Sequence, residues 1–343
     1  MDALPELRLV RPASLGEVVK TRAENPDAQL LGGGTDLLVN IRRGIVAPPI
    51  LIDINNVEEM RTLKANADAI EIGAAVTLAE LAAHPEVAMH YPVLAQAAAC
   101  IAGPTQRHMG TVGGNLALDT RCLFYNQSEW WRFANNHCLK TTGDICHVAP
   151  KSRGICFATF SGDLAPALMT LGAQLDLVGS AGARSIALPL LYIGYARQDE
   201  PITQSQGDGK HYLALRPGEL IRSVRAKNTP GLRSGYDKIR IRRSIEYPVT
   251  GVAVALRREG DVLAELRVAF TGTNPRPVLL EGTRALCGGA LDARVFDGLE
   301  RLVRDQIMSM KTTFTPGHYR RRVAGVLARR LLMRLFEEPT PAA

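Results

Sequence analysis

Aromatic residues are scarce in this sequence, and long apolar runs are missing. Phe, Trp and Tyr make up 5% of the 343 residues, and no RNA- or DNA-binding motif is interleaved with them, so a nucleic-acid partner is not expected. No apolar stretch approaches the roughly 20 residues that a membrane-spanning helix needs. The first residues also lack the basic-then-apolar pattern of a secretory signal. We therefore expect a cytoplasmic protein with no membrane contact.

The remaining composition predicts a globular chain with a large core. Hydrophobic residues make up 46% and charged residues 22% of the sequence, which is typical of globular domains. Its length suggests two or three compact units. The formal net charge is +7, and arginines are densest at 240–243 and 319–322. We interpret these basic patches as solvated or subunit-facing surface.

Three consecutive glycines follow an apolar run near the N-terminus. The pattern predicts a strand, a glycine turn and a helix that Gly44 closes. Without Cβ atoms, backbone N–H groups can approach an anion, and the start of a helix adds partial positive charge. We predict a phosphate-binding loop, with a ligand-free turn as the alternative. The segment is Leu30-Leu31-Gly32-Gly33-Gly34-Thr35-Asp36-Leu37.

A nicotinamide dinucleotide is one candidate ligand for this loop. Asp53 ends the next apolar run, at about the position of the ribose-binding acid of a dinucleotide-binding fold. However, Leu37 occupies the position at which the third glycine of that fingerprint is needed for close packing of helix and strand. The partial match does not decide which phosphate ligand is bound.

A second glycine loop follows a helical run of small apolar residues. It has the sequence Gly110-Thr111-Val112-Gly113-Gly114-Asn115-Leu116. Two such loops suggest an elongated ligand, for example a flavin dinucleotide. Asp163 lies at the start of a later helix, where it could accept hydrogen bonds from ligand hydroxyls or simply provide a favourable N-terminal charge.

Cysteines are concentrated between the second glycine loop and Asp163. A reducing compartment argues against disulfides, and zinc fingers and ribbons use close Cys-x2–4-Cys pairs that are missing here. A four-iron cluster also takes four thiolates, and its ligands can be irregularly spaced. A cluster, zinc and unliganded thiols all remain open, and His137 and His147 adjoin two of the cysteines. The cysteines concerned are Cys122, Cys138, Cys146 and Cys156.

The chain resembles the FAD-binding medium subunits of the xanthine oxidase family of molybdenum hydroxylases. This resemblance implies an α+β fold in which two lobes hold FAD, without a Rossmann domain, followed by a C-terminal antiparallel sheet with helices. We expect lobe 1 at 1–54, lobe 2 at 55–228 and the C-terminal domain at 229–343. The motifs that carry the resemblance are Leu30–Leu37, Gly110–Leu116, Gly162–Leu168 and Tyr236–Arg243.

The same resemblance implies which residues contact FAD. The backbone of the first glycine segment, Leu30, Leu31, Gly32, Gly33, Gly34, Thr35, Asp36 and Leu37, would hold the pyrophosphate. Asp163 would accept the cofactor's hydroxyl groups, and Lys238 would be the cation near the isoalloxazine. No catalytic residue is expected on this chain. The other implied contacts are Ile101, Ala102, Thr111, Gly114, Asn115 and Leu220.

One departure from the family pattern concerns the cysteine-rich segment. About 40 extra residues, at about 119–158, separate the second glycine loop from the Asp163 helix. This insertion is similar to that of the 4-hydroxybenzoyl-CoA reductases of the family, which implies a [4Fe–4S] cluster on Cys122, Cys138, Cys146 and Cys156. The alternative is another hydroxylase of the family whose cysteines bind zinc or nothing.

The resemblance also implies a redox role and partner chains. Electrons from reduced ferredoxin would pass through the cluster and FAD. They would continue to [2Fe–2S] clusters on a small subunit and a molybdenum cofactor on a large one, where 4-hydroxybenzoyl-CoA would be reduced to benzoyl-CoA. The expected assembly is a dimer of heterotrimers.

Overall fold

The computed structural model describes residues 4–152, 154–193, 208–242, 245–308 and 310–338. Residue 243, at the end of the Tyr236–Arg243 motif, lies outside them. The chain forms short 3-10 turns at Glu58–Met60, Leu188–Leu191 and Thr283–Leu286. Its helices and strands are numbered in chain order. These are β1 (Arg8–Val10), α1 (Leu15–Glu24), β2 (Gln29–Leu31), α2 (Leu37–Arg42), β3 (Ile50–Asp53), β4 (Leu63–Ala65), β5 (Ala69–Gly73), α3 (Leu78–Ala83), α4 (Pro85–His90), α5 (Pro92–Cys100), α6 (Pro104–Arg107), α7 (Val112–Leu116), α8 (Glu129–Ala134), α9 (Leu164–Thr170), β6 (Gln174–Gly179), β7 (Gly182–Ala187), β8 (Leu220–Lys227), β9 (Arg233–Ile239), β10 (Thr250–Glu259), β11 (Val262–Thr271), β12 (Val278–Leu279), β13 (Gly289–Ala290), α10 (Ala293–Gln306) and α11 (Gly317–Glu337).

The N-terminal segment forms a parallel three-stranded sheet in the order β1-β3-β2. Ser14 caps α1 by accepting a hydrogen bond from the Glu17 backbone N–H, as the Ser-x-x-Glu spacing predicts. The buried faces of this unit include Val18 of α1 and Ile52 of β3. The first glycine segment therefore leaves the sheet at the carboxyl end of β2, where parallel folds present their ligand-binding loops.

A second sheet, in the order β4-β5-β8-β6-β7, has antiparallel pairing throughout. Helix α5 packs against β9 and α3, and its small residues Ala97 and Ala98 are fully buried. All seven residues of α9 are buried too, because this helix lies against β10 and β11 as well as α5. The second sheet and the C-terminal sheet are thus joined through one continuous core, which includes Ala253 and Ala269.

The C-terminal sheet has the order β12-β11-β10-β9, with β13 paired to β11. Strands β10 and β11 form the hairpin that the alternating pattern predicts, and Gly260 takes the left-handed conformation at its turn (φ +59°). Helices α10 and α11 cover one face and bury Leu299 and Leu331 among the β-strand side chains. In the described part of the chain, no helix is both long and apolar enough to span a membrane.

The insertion at 119–158 is mostly irregular and contains one short helix, α8. Ser128 caps this helix by accepting a hydrogen bond from the Trp131 N–H. A bridge between Arg121 and Thr159 closes the base of the insertion, and the Leu123 N–H donates to the Thr312 carbonyl at 2.8 Å. The insertion is therefore tied to the C-terminal domain as well as to the segment it interrupts.

Candidate functional site

The two glycine loops pack directly against each other. A Cβ atom on Gly33 would lie 1.7 Å from the backbone oxygen of Met109, and one on Gly32 would lie 2.8 Å from Thr111 Oγ1. Such contacts are far below van der Waals distance, so glycine is required here for loop-to-loop packing. The two motifs recognised separately in the sequence therefore form one surface.

The first loop offers free backbone donors. Among the described residues, no protein acceptor receives the backbone N–H groups of 33–36. Helix α2 begins only at Leu37 and has six residues, and Gly44 closes it as predicted, with a left-handed backbone (φ +60°) and its N–H donating to the Ile41 carbonyl. The contribution to anion binding therefore comes from the loop N–H groups rather than from a long helix dipole.

Asp36 is fully engaged with protein partners. Its Oδ1 accepts a hydrogen bond from Arg121 Nη2 at 2.7 Å and a longer one from the Tyr247 hydroxyl at 3.3 Å. Its Oδ2 accepts one from Asn40 Nδ2 at 3.0 Å. The carboxylate thus joins the first loop, the insertion and the C-terminal domain at one point.

Asp53 supports the loop from behind and does not line the cleft. It accepts hydrogen bonds from the backbone N–H of Asn55 at 3.0 Å and from its Nδ2 at 2.7 Å. The same Nδ2 donates to the Gly32 carbonyl at 2.9 Å. The position that suggested a ribose-binding acid is therefore occupied by a brace for the glycine loop.

The second loop is organised by two of the predicted residues. Thr111 caps α7 because its Oγ1 accepts the Gly114 N–H at 3.2 Å. Asn115 is buried, and its Oδ1 accepts the Leu164 N–H at 3.0 Å at the start of α9. Asn115 therefore fixes the second loop to the segment that carries Asp163.

Both loops open onto one cleft with a volume of about 1210 Å³. Ala102 in its wall has a left-handed backbone (φ +43°), and Arg107 Nη1 donates to its carbonyl and to that of Ile101 at 3.2 and 2.8 Å. Two predicted contacts, Leu31 and Lys238, do not line the cleft. The predicted residues that do are Leu30, Gly32, Gly33, Gly34, Thr35, Asp36, Leu37, Ile101, Ala102, Thr111, Gly114, Asn115, Asp163 and Leu220.

Asp163 belongs to a buried charged group in the wall of the cleft. Lys238 Nζ lies 3.0 Å from its Oδ2, and the Tyr236 hydroxyl donates to its Oδ1 at 2.5 Å. Burial, followed by the neighbouring Asp163 carboxylate, raises the pKa of Tyr236 well above its usual value. Lys238 is predicted to lie near a flavin, but here its cation contacts Asp163 behind the cleft surface.

The insertion forms another part of the cleft wall. Lys140 is buried there, and its Nζ donates to Asp119 Oδ1 at 2.7 Å and to the Gly209 carbonyl at 2.8 Å. The same ammonium lies 4.8 Å from the ring centre of Tyr125, within cation–π range. Cys122 also lines the cleft, so the cysteine-rich segment and the predicted flavin site are adjacent.

The insertion brings its four cysteines close together and buries all of them. Cys122, Cys138 and Cys156 share one small apolar cluster. A hydrogen bond between the side chains of Cys146 and Cys156 lowers the pKa of Cys146 and raises that of Cys156. Burial raises the pKa of Cys122 to about 11. No disulfide joins the six cysteines, all of which lie in the described residues.

Backbone N–H groups are directed at three of these sulfurs. Tyr125 N lies 3.3 Å from Cys122 Sγ, and Ala158 N lies 3.5 Å from Cys156 Sγ. Cys146 receives backbone hydrogen bonds as well, among them one from Phe157. Within the described residues, however, no three His, Cys, Asp or Glu side chains are arranged to hold one metal ion. The arrangement directs backbone donors at three sulfurs and, in the described residues, forms no single-ion site.

Comparison with known proteins gives two consecutive family matches. Residues 5–226 match the family described as the FAD binding domain in molybdopterin dehydrogenase, and residues 235–335 match the CO dehydrogenase flavoprotein C-terminal domain. The chain belongs to the FAD-binding medium subunits of the molybdenum hydroxylases. The family match also agrees with the expected fold, since a C-terminal antiparallel sheet follows the FAD-binding part.

Individual relatives cover almost the whole of this medium subunit. The aldehyde oxidoreductase FAD-binding subunit of Escherichia coli (strain K12) is 30% identical, covering 87% of this chain and 90% of its own length. The carbon monoxide dehydrogenase medium chain of Afipia carboxidovorans is 26% identical and covers 94% of both chains. The structure of reconstituted CO dehydrogenase from Oligotropha carboxidovorans superposes with a TM-score of 0.77 at 23% identity, covering 98% of this chain and 100% of its own.

The residues of the cleft fit the FAD that this family binds. The volume of the cleft exceeds that of ordinary drug-sized pockets, and the cleft is lined by six glycines, at 32–34, 110, 113 and 114. The unpartnered N–H groups at 33–36 are the donors that a pyrophosphate needs. FAD supplies the electron-transfer chemistry when it is bound.

Several residues of this medium subunit's site were not identified from the sequence. Arg121 and Lys140 lie in the insertion, and their partners are distant along the chain, so no local pattern reveals them. Tyr236 could have been found, because it is two residues from Lys238 on one strand and alternate residues share a face. Arg320 also lines the cleft. It is buried and donates to the Val249 carbonyl at 3.1 Å.

Proposed function

We propose that this chain is the FAD and [4Fe–4S] electron-transfer subunit of a molybdenum enzyme that reductively dehydroxylates 4-hydroxybenzoyl-CoA to benzoyl-CoA. In this proposal the chain relays electrons from reduced ferredoxin toward [2Fe–2S] clusters on a small subunit and a molybdenum cofactor on a large subunit. The assembly is a dimer of heterotrimers. The substrate site lies on the large subunit, since this chain is expected to carry no catalytic residue.

The observation that carries the proposal is the gathering of four buried cysteines beside the cleft. A thiolate in an apolar site is unfavourable unless a cation or hydrogen-bond donors compensate its charge. Cys122, Cys146 and Cys156 all receive backbone N–H donors, and Lys140 lowers the pKa of Cys156 through its charge, against the larger raising effects of Cys146 and of burial. Such donors also tune the potential of an iron–sulfur cluster.

A cluster and a single metal ion require different arrangements of the same ligands. In a zinc site all four sulfurs lie about 2.3 Å from one ion. In a four-iron cluster each cysteine binds a different iron, so the sulfurs stay further apart around a larger group. The four cysteines are buried together in one insertion, and we propose the cluster as their ligand on this clustering and on the resemblance of the insertion. Cys122, Cys138, Cys146 and Cys156 would hold it.

The proposed FAD contacts follow the lining of the cleft. The N–H groups of 33–36 would bind the pyrophosphate, and Thr111 and Asn115 would line the flavin end. Asp163 would face the cofactor's hydroxyl groups, and Lys238 would compensate the negative charge of Asp163 from the side away from the cleft. Ile101, Ala102 and Leu220 would pack on the apolar surfaces of the cofactor.

A second candidate is the FAD subunit of an oxidising enzyme of the same family. It is favoured by the identity of 30% to a protein named as an aldehyde oxidoreductase subunit and 26% to a carbon monoxide dehydrogenase medium chain. In that case electrons would leave a substrate on the large subunit and reach an acceptor at FAD. The cysteines would then hold zinc or remain thiols.

The first experiment measures iron, acid-labile sulfide and FAD on the full chain purified without oxygen. We expect about four iron and four sulfide per FAD. Cys138→Ser should lower the iron content while FAD remains bound, and Cys287→Ser is the matched control because Cys287 lies in the C-terminal domain, away from the other thiols. Flavin without iron, or zinc in its place, would contradict the cluster.

A second experiment distinguishes the two candidate reactions. The complete enzyme with its partner subunits is supplied either with 4-hydroxybenzoyl-CoA and a chemically reduced donor, or with an aldehyde and an oxidised acceptor. Benzoyl-CoA formation supports the reductase. Aldehyde oxidation without dehydroxylation supports the second candidate.

A further inference from the structure

The insertion at 119–158, here called the cysteine loop, contacts the first glycine loop through one buried arginine. Arg121 is 7% exposed at its side chain. Its Nη2 donates to Asp36 Oδ1 at 2.7 Å and also to the Oδ1 of Asn40. The guanidinium lies 5.6 Å from the Tyr125 ring centre. One side chain of the cysteine loop is therefore held by both the glycine loop and the helix that follows it.

Asp36 depends on this arginine for charge compensation. Its two oxygens accept three hydrogen bonds, from Arg121, the Asn40 amide and the Tyr247 hydroxyl, and Arg121 is the cation among these partners. The side chain of Asp36 is 27% exposed and that of Arg121 is 7% exposed, so this pair is partly shielded from water and loss of the cation destabilises the carboxylate. The backbone conformation of the loop that presents the N–H groups of 33–36 therefore depends on where the cysteine loop holds Arg121.

We propose that Arg121 is a positioning residue that couples the order of the cysteine loop to the affinity of the chain for FAD, through Asp36. The inference rests on the proposed FAD cleft and is independent of what the cysteines bind. Coupling of this kind is reciprocal. Ordering the cysteine loop strengthens FAD binding, and FAD in turn stabilises the cysteine loop.

The cysteine loop contains a matched control for this proposal. Arg132 is also buried and also joins the loop to the N-terminal unit, but it donates to the carbonyls of Arg43 and Gly44 at 2.9 and 3.1 Å, beyond the far end of α2. None of its described hydrogen bonds reaches Asp36. Arg132→Met thus removes a similar anchor of the same loop without touching the glycine loop.

The test measures the dissociation constant of FAD by flavin fluorescence on the full chain, with circular dichroism as the check on folding. We expect Arg121→Met and Asp36→Asn each to weaken binding about tenfold or more. The double variant should be no weaker than the worse single variant, because both changes remove the same interaction. Arg121→Lys should restore part of the affinity, since it keeps the charge but not the planar fork. Arg132→Met should change binding less than about threefold.

Hydrogen exchange provides the reciprocal readout. Adding FAD should slow amide exchange across 119–158 in the unmodified chain and in Arg132→Met, and should not do so in Arg121→Met. Three outcomes would overturn the coupling: additive effects of Arg121→Met and Asp36→Asn, equal losses of affinity in Arg121→Met and Arg132→Met, or unchanged FAD affinity in Arg121→Met.

Gly32→Val tests the cleft separately, because the valine side chain would collide with Thr111. FAD binding that survives Gly32→Val contradicts the proposed cleft itself.

Discussion

Replacing Lys238 with Met isolates the energy of the buried ion pair behind the cleft. The Lys238 side chain is 1% exposed and that of Asp163 is 4% exposed, with 3.0 Å between Nζ and Oδ2. Removing the cation leaves the carboxylate with the Tyr236 hydroxyl as its described side-chain partner. Breaking a buried pair in this way costs about 3–5 kcal/mol, so we expect Lys238→Met to lower the free energy of unfolding by that amount.

The assay is urea unfolding of the full chain without FAD, so that lost cofactor binding does not contribute. A second variant supplies the control, because Asp163→Asn together with Lys238→Met removes both charges and keeps an oxygen for the Tyr236 hydroxyl. We expect this double variant to be clearly more stable than Lys238→Met. The reasoning is refuted if Lys238→Met costs less than about 1 kcal/mol, the value of an exposed pair, or if the double variant is less stable than either single one.

Three further predictions follow from individual contacts. Gly33→Ala should abolish FAD binding in a fluorescence titration, because the added Cβ would overlap the Met109 carbonyl. Gly16→Ala is the control, since its Cβ would meet nothing closer than 3.9 Å. This control should stabilise α1 by about 0.5–1 kcal/mol in the urea unfolding assay. Hydrogen bonding to Arg184 lowers the pKa of Glu219, so Glu219 stabilises the fold above the ordinary carboxyl pKa and loses that contribution as pH falls through the lowered one. Glu219→Gln should therefore flatten the acid side of a plot of stability against pH, and an unchanged acid side would contradict this assignment. Arg184→Met should flatten that acid side in the same way and cost about 1 kcal/mol or less at neutral pH, because the pair is partly exposed.

The elements that local pattern determines were predictable. The strand and glycine turn around 30–34 follow from an apolar run that ends in residues without Cβ atoms, and the β10–β11 hairpin follows from alternation on both sides of Gly260. The family resemblance supplied the two-lobed architecture and the C-terminal sheet, which the comparisons confirm. The predicted FAD contacts stay a prediction, although most of them line one cleft.

What the sequence did not reveal depends on contacts between distant residues. Asp36 and Arg121 are 85 positions apart, and Asp163 and Lys238 are 75 apart, so neither pair leaves a periodic signal. Arg132 of the insertion likewise donates to the carbonyls of Arg43 and Gly44, which are 89 and 88 positions away.

The cysteine loop has only a small apolar cluster of its own in the described residues. Its cluster of buried residues consists of Cys122, Tyr125, Cys138, Cys156 and Ala158, and one six-residue helix is its regular structure in the described part of the chain. Buried cations also hold the cysteine loop in place, because Arg121, Arg132 and Lys140 each donate several hydrogen bonds to the surrounding backbone or side chains. A group bound by the four thiols would add its binding energy directly to the folding of this segment. If the thiols bind the proposed cluster, iron removal should therefore loosen the cysteine loop first and, through Arg121, lower the affinity for FAD without abolishing its binding.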